Sequence, residues 1–169
     1  SLSVNVSARQ FHCLDFVTQI EWLLESSQMP AEHLMLEITE SVILENLQDT
    51  IDKMQRLRQL GIRLSIDDFG TGHSALIYLE HFTMDYLKID RGFVNAIGTE
   101  TVTSPVLDAV LTLARRLNMS TVAEGVETPE QAAWLREHGV NFLQGYWISR
   151  PMPLEQFRKW QPDLPPASE

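Results

Sequence analysis

The apolar pattern of this chain switches repeatedly between short strand-like runs and longer stretches with helical spacing. Few features constrain a fold more, because strands that alternate with helix-length segments build a parallel α/β sheet. Six runs read as strands: Leu2–Val6, Leu34–Ile38, Arg63–Asp67, Tyr86–Ile89, Ser120–Ala123 and Asn141–Gln144. Helix punctuation falls between them. Ile51, Met54, Leu57 and Leu60 form one stripe with Asp52, Lys53, Gln55, Arg56 and Arg58 off it, and Gly61 supplies the stop. Ser104 as N-cap with Pro105 in the first turn opens a helix that carries Val106, Val110, Leu113 and Leu117 and ends at Asn118. Thr128-Pro129-Glu130-Gln131 has the form of a capping box, and that helix closes at Gly139.

Two architectures fit such a pattern, an open doubly wound sheet and part of a (β/α)8 TIM-like barrel, here about six of the eight strands. The polar residues favour the barrel. Taken strand by strand, the C-terminal ends carry Asn5, Glu37 with Glu40, Asp67-Asp68, Lys88 with Asp90, Glu124 with Glu127, and Gln144. In a parallel fold these ends share one rim, where so many carboxylates repel one another unless positive charge compensates. Oxygen-only donors favour Mg²⁺ or Mn²⁺ over Zn²⁺, and the five histidines, His12, His33, His73, His81 and His138, form no metal-binding spacing. They read as surface or packing residues. Asp67-Asp68 is the strongest element of the set, since one carboxylate that bridges while its neighbour binds a second ion suits a two-metal phosphoryl site.

Composition narrows the function classes. With 169 residues, 44% hydrophobic and 21% charged, the chain reads as one globular domain, residues 1–160, and not as a disordered tail or disulfide scaffold. Thirteen Lys plus Arg against 23 Asp plus Glu give a formal charge of −10, which argues against a DNA or RNA polymer as partner. The single cysteine, Cys13, reads as a small half-buried hydrophobe in a reducing, cytoplasmic setting. No 18-residue apolar run or signal peptide is present, so any membrane tether would lie outside this chain. The chain enters a strand directly after Ser1, which reads as a piece trimmed from a longer protein, and residues 161–169, with three prolines, read as a frayed tail.

Phe69-Gly70-Thr71-Gly72-His73-Ser74-Ala75 has the letters of a dinucleotide fingerprint, with Asp90 further on. Two carboxylates just ahead of it would repel a pyrophosphate, so it reads as a loop over a metal site. With the runs Asn5-Val6-Ser7, Glu37-Ile38-Thr39-Glu40-Ser41, Asp67 to Gly72, Leu87-Lys88-Ile89-Asp90, Ala123 to Thr128 and Gln144-Gly145-Tyr146, the chain resembles the EAL domain of bacterial cyclic-di-GMP phosphodiesterases.

That resemblance implies a modified (β/α)8 barrel that hydrolyses cyclic-di-GMP to linear pGpG with two Mg²⁺ or Mn²⁺ ions. It implies Asn5, Glu37, Asp67, Asp68 and Glu124 as metal ligands. Lys88 is similar to the family lysine beside the attacking water, and Gln144 to the residue completing the water and metal network; with Asp68 and Glu124 these form the implied catalytic set. Glu40 is implied as anchor of the loop containing Gly70, Thr71 and Gly72, and Glu127 as an outer acid of the substrate region. The Glu-Ala-Leu motif that names the family, with its following arginine, is not in this sequence. Its loss would remove one metal ligand and two strands and impair the piece. His73 stands where the family usually has tyrosine. The resemblance further implies a diguanylate cyclase or sensor domain on the N-terminal side and a homodimer. Two other readings compete: a catalytically inactive cyclic-di-GMP receptor or protein-interaction module, and a barrel hydrolase acting on a sugar phosphate.

Overall fold

Every strand-like run of the sequence pairs with the next one along the chain. The computed structural model describes residues 1–69, 82–98 and 104–161. Its elements are β1 (Leu2–Val6), α1 (Ala8–Phe11), α2 (Phe16–Ser27), β2 (Leu34–Thr39), α3 (Glu40–Glu45), α4 (Leu47–Gln59), β3 (Arg63–Phe69), β4 (Tyr86–Ile89), α5 (Arg91–Asn95), α6 (Ser104–Arg116), β5 (Ser120–Ala123), α7 (Pro129–Glu137), β6 (Phe142–Leu143) and α8 (Leu154–Phe157). The six strands form one sheet in the order β1-β2-β3-β4-β5-β6, and each pair is parallel.

Strand order decides between the two candidate architectures. A doubly wound sheet reverses direction at a switch point and carries helices on both faces. Here the order never reverses, so right-handed crossovers put the helices on a single face. This is the progression of a (β/α) barrel, present as six strands with β1 and β6 at the edges of the described sheet.

Alternation along each strand sorts the side chains. Leu36, Ile38, Leu64, Ile66, Leu87 and Ile89 are buried on the helix-facing side and join one core with Met54, Leu57, Leu107, Ala114 and Leu135. The residues between them, Glu37, Ser65 and Lys88, occupy the opposite, inner face and are also buried. The core therefore lies between sheet and helices, and the inner face is left for polar groups.

Helix signals hold, with three corrections. Gly61 (φ +91) ends α4 as expected, and Thr128 and Gln131 make the capping box of α7. In α6 the buried stripe is Leu107, Val110, Leu111 and Ala114, while Val106 is 49% exposed. Both sets have helical spacing, and packing onto β5 selects between them. Lys53, expected off the buried face of α4, is buried: its ammonium donates to Phe11 O (3.0 Å) and Asp49 Oδ2 (2.7 Å). Cys13 is exposed, since α1 is only four residues long and the chain turns outward after it; its Sγ donates to Arg9 O at 3.2 Å.

His12 packs edge-on against Phe11 and His138 stacks on Trp134, consistent with packing roles. His73 and His81 lie outside the described residues. Among the described residues, no helix is long and apolar enough to cross a membrane.

Candidate functional site

Register carries the first ligand candidates to one place. Asn5 on β1 lies opposite Glu37 on β2, and Asp67 on β3 lies opposite Thr39 two residues further along β2. All three are inward positions at the C-terminal rim, because their chain neighbours Leu36, Ile38 and Ile66 are committed to the core. Lys88 reaches the same point from β4. Its Nζ lies 2.6 Å from Glu124 Oε1, 2.8 Å from Glu37 Oε2 and 3.0 Å from Asp67 Oδ1.

One ammonium thus stands among three carboxylates, with Asp68 as a fourth acid nearby. Burial alone would lower the Lys88 pKa, but the hydrogen bonds to Glu124, Glu37 and Asp67 outweigh it and the net direction is up, so the group stays charged. Burial raises the Glu124 carboxyl above its ordinary 4.5; Lys88 opposes the rise, and the charges of Asp67 and Glu37 add to it. Asp68 is raised above 3.8 by the same desolvation and by the neighbouring Asp67 and Asp90. Burial is the larger cause of both shifts, and the neighbouring carboxylates add to it despite the one lysine among them.

A divalent cation fits this deficit. Oxygens of Asp67, Asp68 and Glu124 all lie within 4.8 Å of one another, close enough to share an ion. Asn5 faces two of the same acids. With its amide nitrogen turned to the carboxylates it donates to Glu37 Oε2 (3.2 Å) and Asp67 Oδ2 (3.1 Å). With its oxygen there, three acceptors would converge, an arrangement stable only around a cation.

The adjacency of Asp67 and Asp68 requires a backbone device. In a regular strand consecutive side chains point to opposite faces, which would send Asp68 toward the helices. The β3–β4 pairing instead shifts between Ile66 and Phe69, and Asp68 takes a left-handed φ of +53. This bulge turns the Asp68 carboxylate back to the rim beside Asp67. Left-handed backbone costs a residue with a Cβ about 1–2 kcal/mol, least for Asn and Asp, and such strain clusters at functional sites.

A cavity of about 390 Å³ opens above the cluster, lined by Asp68, Asp90, Arg91, Glu124, Glu127, Gln144 and Tyr146 among others. Gln144 reaches it because backbone pairing continues past β6: Gln144 N donates to Ala123 O (2.8 Å) and Val126 N to Gln144 O (3.0 Å). Glu127 is exposed on the same wall. Glu40 is buried at the start of α3 and does not line the cavity. Gly70, Thr71 and Gly72 lie outside the described residues. Asp90 lines the cavity and caps α5, accepting from Gly92 N at 2.8 Å. Arg91 is a wall residue that motif reasoning passed over; its place just after the acid ending β4 was the available signal.

Carboxylates gathered around one lysine, at the C-terminal rim of a sequentially ordered parallel sheet, define a (β/α)-barrel domain with an acidic centre whose geometry suits a cation. The chain belongs to the EAL domain family, which matches residues 1–151. It is 62% identical over 159 residues, 93% of its length, to the probable cyclic di-GMP phosphodiesterase PdeN of Escherichia coli K12. The PaMucR phosphodiesterase, solved as a c-di-GMP complex, superposes with a TM-score of 0.87 at 40% identity, covering 92% of this chain and 63% of that one. Klebsiella pneumoniae BlrP1, solved as a manganese/cy-diGMP complex, gives 0.81 at 30% identity, covering 89% and 39%. The chain spans between 20% and 30% of the length of the first curated relatives it matches.

Proposed function

We propose that this chain is the phosphodiesterase domain of a bacterial signalling protein that hydrolyses one phosphodiester of cyclic-di-GMP, giving linear pGpG, with two Mg²⁺ or Mn²⁺ ions. The observation that carries this reading is the convergence of Glu37, Asp67 and Glu124 on Lys88, with Asp68 turned to the same rim. Asn5, Glu37, Asp67, Asp68 and Glu124 would hold the ions. When bound, the ions supply a water of lowered pKa and offset charge on the leaving oxygen. Lys88, kept protonated by its acids, orients the attacking water and balances negative charge that develops at phosphorus. Gln144, on the cavity wall, completes the hydrogen bonding of that water. Hydrolysis joins the water oxygen to phosphorus and breaks one ester bond, leaving a phosphate at one end of pGpG and a hydroxyl at the other.

The remaining assignments belong to the same proposal: Glu40 anchors the loop of Gly70, Thr71 and Gly72, and Glu127 is an outer acid. The domain occupies residues 1–160 with a short tail, works in the cytoplasm, and in its whole protein follows a diguanylate cyclase or sensor domain and dimerises. The name of one relative, the bifunctional diguanylate cyclase/cyclic di-GMP phosphodiesterase MucR of Pseudomonas aeruginosa, supports the domain pairing.

Chromatography of cyclic-di-GMP incubated with the purified protein and Mn²⁺ tests the reading. Conversion to pGpG is expected from the whole protein, abolished by chelation and reduced about 100-fold or more by Glu124→Gln, with much less product or none from residues 1–169 alone. Unchanged substrate from the whole protein across a full Mg²⁺ and Mn²⁺ titration overturns it, and binding without turnover in the whole protein would make the domain a receptor.

A further inference from the structure

Lys53 lies on the buried face of α4 with Thr50, Met54 and Leu57, and is only 5% exposed. Stability alone does not ask for a charge there. Taking an ammonium out of water is costly, and replacing a buried ion pair by well-packed apolar residues is often neutral or stabilising. The partners of Lys53 point to another use for the charge. Its ammonium donates to Asp49 Oδ2 at 2.7 Å and, across 42 residues of chain, to Phe11 O at 3.0 Å. It also lies 5.7 Å from the centroid of the Phe11 ring, which is fully buried. Asp49 in turn faces His12 Nδ1 at 3.9 Å, so two charged residues of α4 meet the end of α1.

α1 has only four residues, too few to persist without outside support. Its start is held by the capping box of Ser7 and Gln10. At its end, Ala8 O accepts from His12 N, Arg9 O from Cys13 Sγ and Gln10 O from Cys13 N, all within the same stretch of chain. Phe11 O is the remaining carbonyl of the helix, and its donor is Lys53, from a different helix.

What α1 holds in place is the end of β1. Asn5 lies two positions before the N-cap Ser7, on a strand that pairs only with β2 among the described strands. Glu37 and Asp67 are buried, whereas Asn5 is exposed. Packing therefore does not fix the Asn5 side chain as it fixes theirs, and the backbone leaving β1 has to.

We propose that Lys53 is a positioning residue for the candidate metal centre: by tying the last carbonyl of α1 to α4, it fixes the backbone that carries Asn5 and keeps the Asn5 amide facing Glu37 and Asp67. This role rests on Asn5 serving as a metal ligand in the phosphodiesterase reading, and it lies in the helix layer, outside every motif of the site. A packing role makes a different prediction. Methionine, of similar length and with no charge to desolvate, would then serve as well as lysine. Positioning instead predicts a loss that is felt only through Asn5.

Calorimetric titration of Mn²⁺ alone into the whole protein tests this with four forms: wild type, Lys53→Met, Asn5→Ala and the double variant. Metal bound elsewhere in the protein is common to all four and cancels in the comparison. Lys53→Met should weaken Mn²⁺ affinity by about 10-fold, the low end for residues that support a metal ligand, and Asn5→Ala by at least as much. In the Asn5→Ala background, Lys53→Met should change the affinity by less than about 2-fold, because two residues that act through one contact are not additive. Melting curves establish that each form is folded. If Lys53→Met does not fold, Asp49→Asn, which keeps the lysine and removes the charge that anchors it, replaces it in the same cycle and must show the same coupling to Asn5. An equal loss in both backgrounds, or no loss while Asn5→Ala weakens binding, overturns the positioning role and leaves the metal centre standing. An Asn5→Ala variant that binds Mn²⁺ as tightly as wild type removes Asn5 from the ligand set and this role with it. A wild type that takes up no Mn²⁺ overturns the two-metal reading as well.

Discussion

Lys88 balances three acids, so its removal is the most informative single change at the residue scale. Replacing it by methionine leaves Glu37, Asp67 and Glu124 facing one another with no cation, and breaking a buried ion pair from one side costs about 3–5 kcal/mol. Denaturant unfolding should show Lys88→Met destabilised to that extent without metal, with part of the loss recovered by Mn²⁺. The pH dependence follows from the same groups. Because the folded protein holds the Glu124 and Asp68 protons more tightly than the unfolded chain does, their contribution to stability falls as pH rises above 4.5 and 3.8 respectively. Glu124→Gln should flatten that decline when metal-free melting is followed from mildly acidic to neutral pH. Lys88 acts in the opposite window: its stabilisation is complete below 10.5 and is lost only as pH passes its higher folded value. The residue types at the site, and the need for a compensating cation, were legible in the letters. That Lys88 itself makes three of the contacts was not, since it depends on which inward positions face each other across β2, β3, β4 and β5.

Among the elements, β3 and the loop after β6 carry the geometry. The bulge at Asp68 needs a left-handed residue, so Asp68→Ala should be less stable than Asp68→Asn by about 1 kcal/mol, read from denaturant midpoints, although both lose the charge. At Gly145 any side chain meets the Val126 backbone, and Gly145→Ala should cost more than about 2 kcal/mol or force the two loops apart, lowering the melting temperature. Strand positions were readable because each short apolar run is bounded by turn residues and separated from the next by a helix-length segment. The bulge was hidden, since period-2 alternation assigns Asp67 and Asp68 to opposite faces. The buried stripe of α6 was hidden for a related reason: two stripes of equal spacing exist, and only the sheet beneath the helix selects Leu107 and Leu111 over Val106.

For the whole molecule, the order of the strands is the decisive fact. A sheet that never reverses brings six C-terminal strand ends to one rim, and the acids placed there gather negative charge that a divalent cation would offset. Mn²⁺ at about 100 times its dissociation constant should therefore stabilise the protein by about 2.7 kcal/mol, measured as a metal-dependent rise in melting temperature that chelation reverses. The sequence by itself determined the α/β class, the strand positions, the acids at their ends and the family, because these rest on local spacing and on runs of residues that can be read without coordinates. Only the tertiary structure decided between barrel and doubly wound sheet, turned Asp68 to the same side as Asp67, and buried Lys53 against the end of α1. Each of these depends on which distant segments lie side by side, and hydrogen-bond register and packing fix that only when the whole chain has folded.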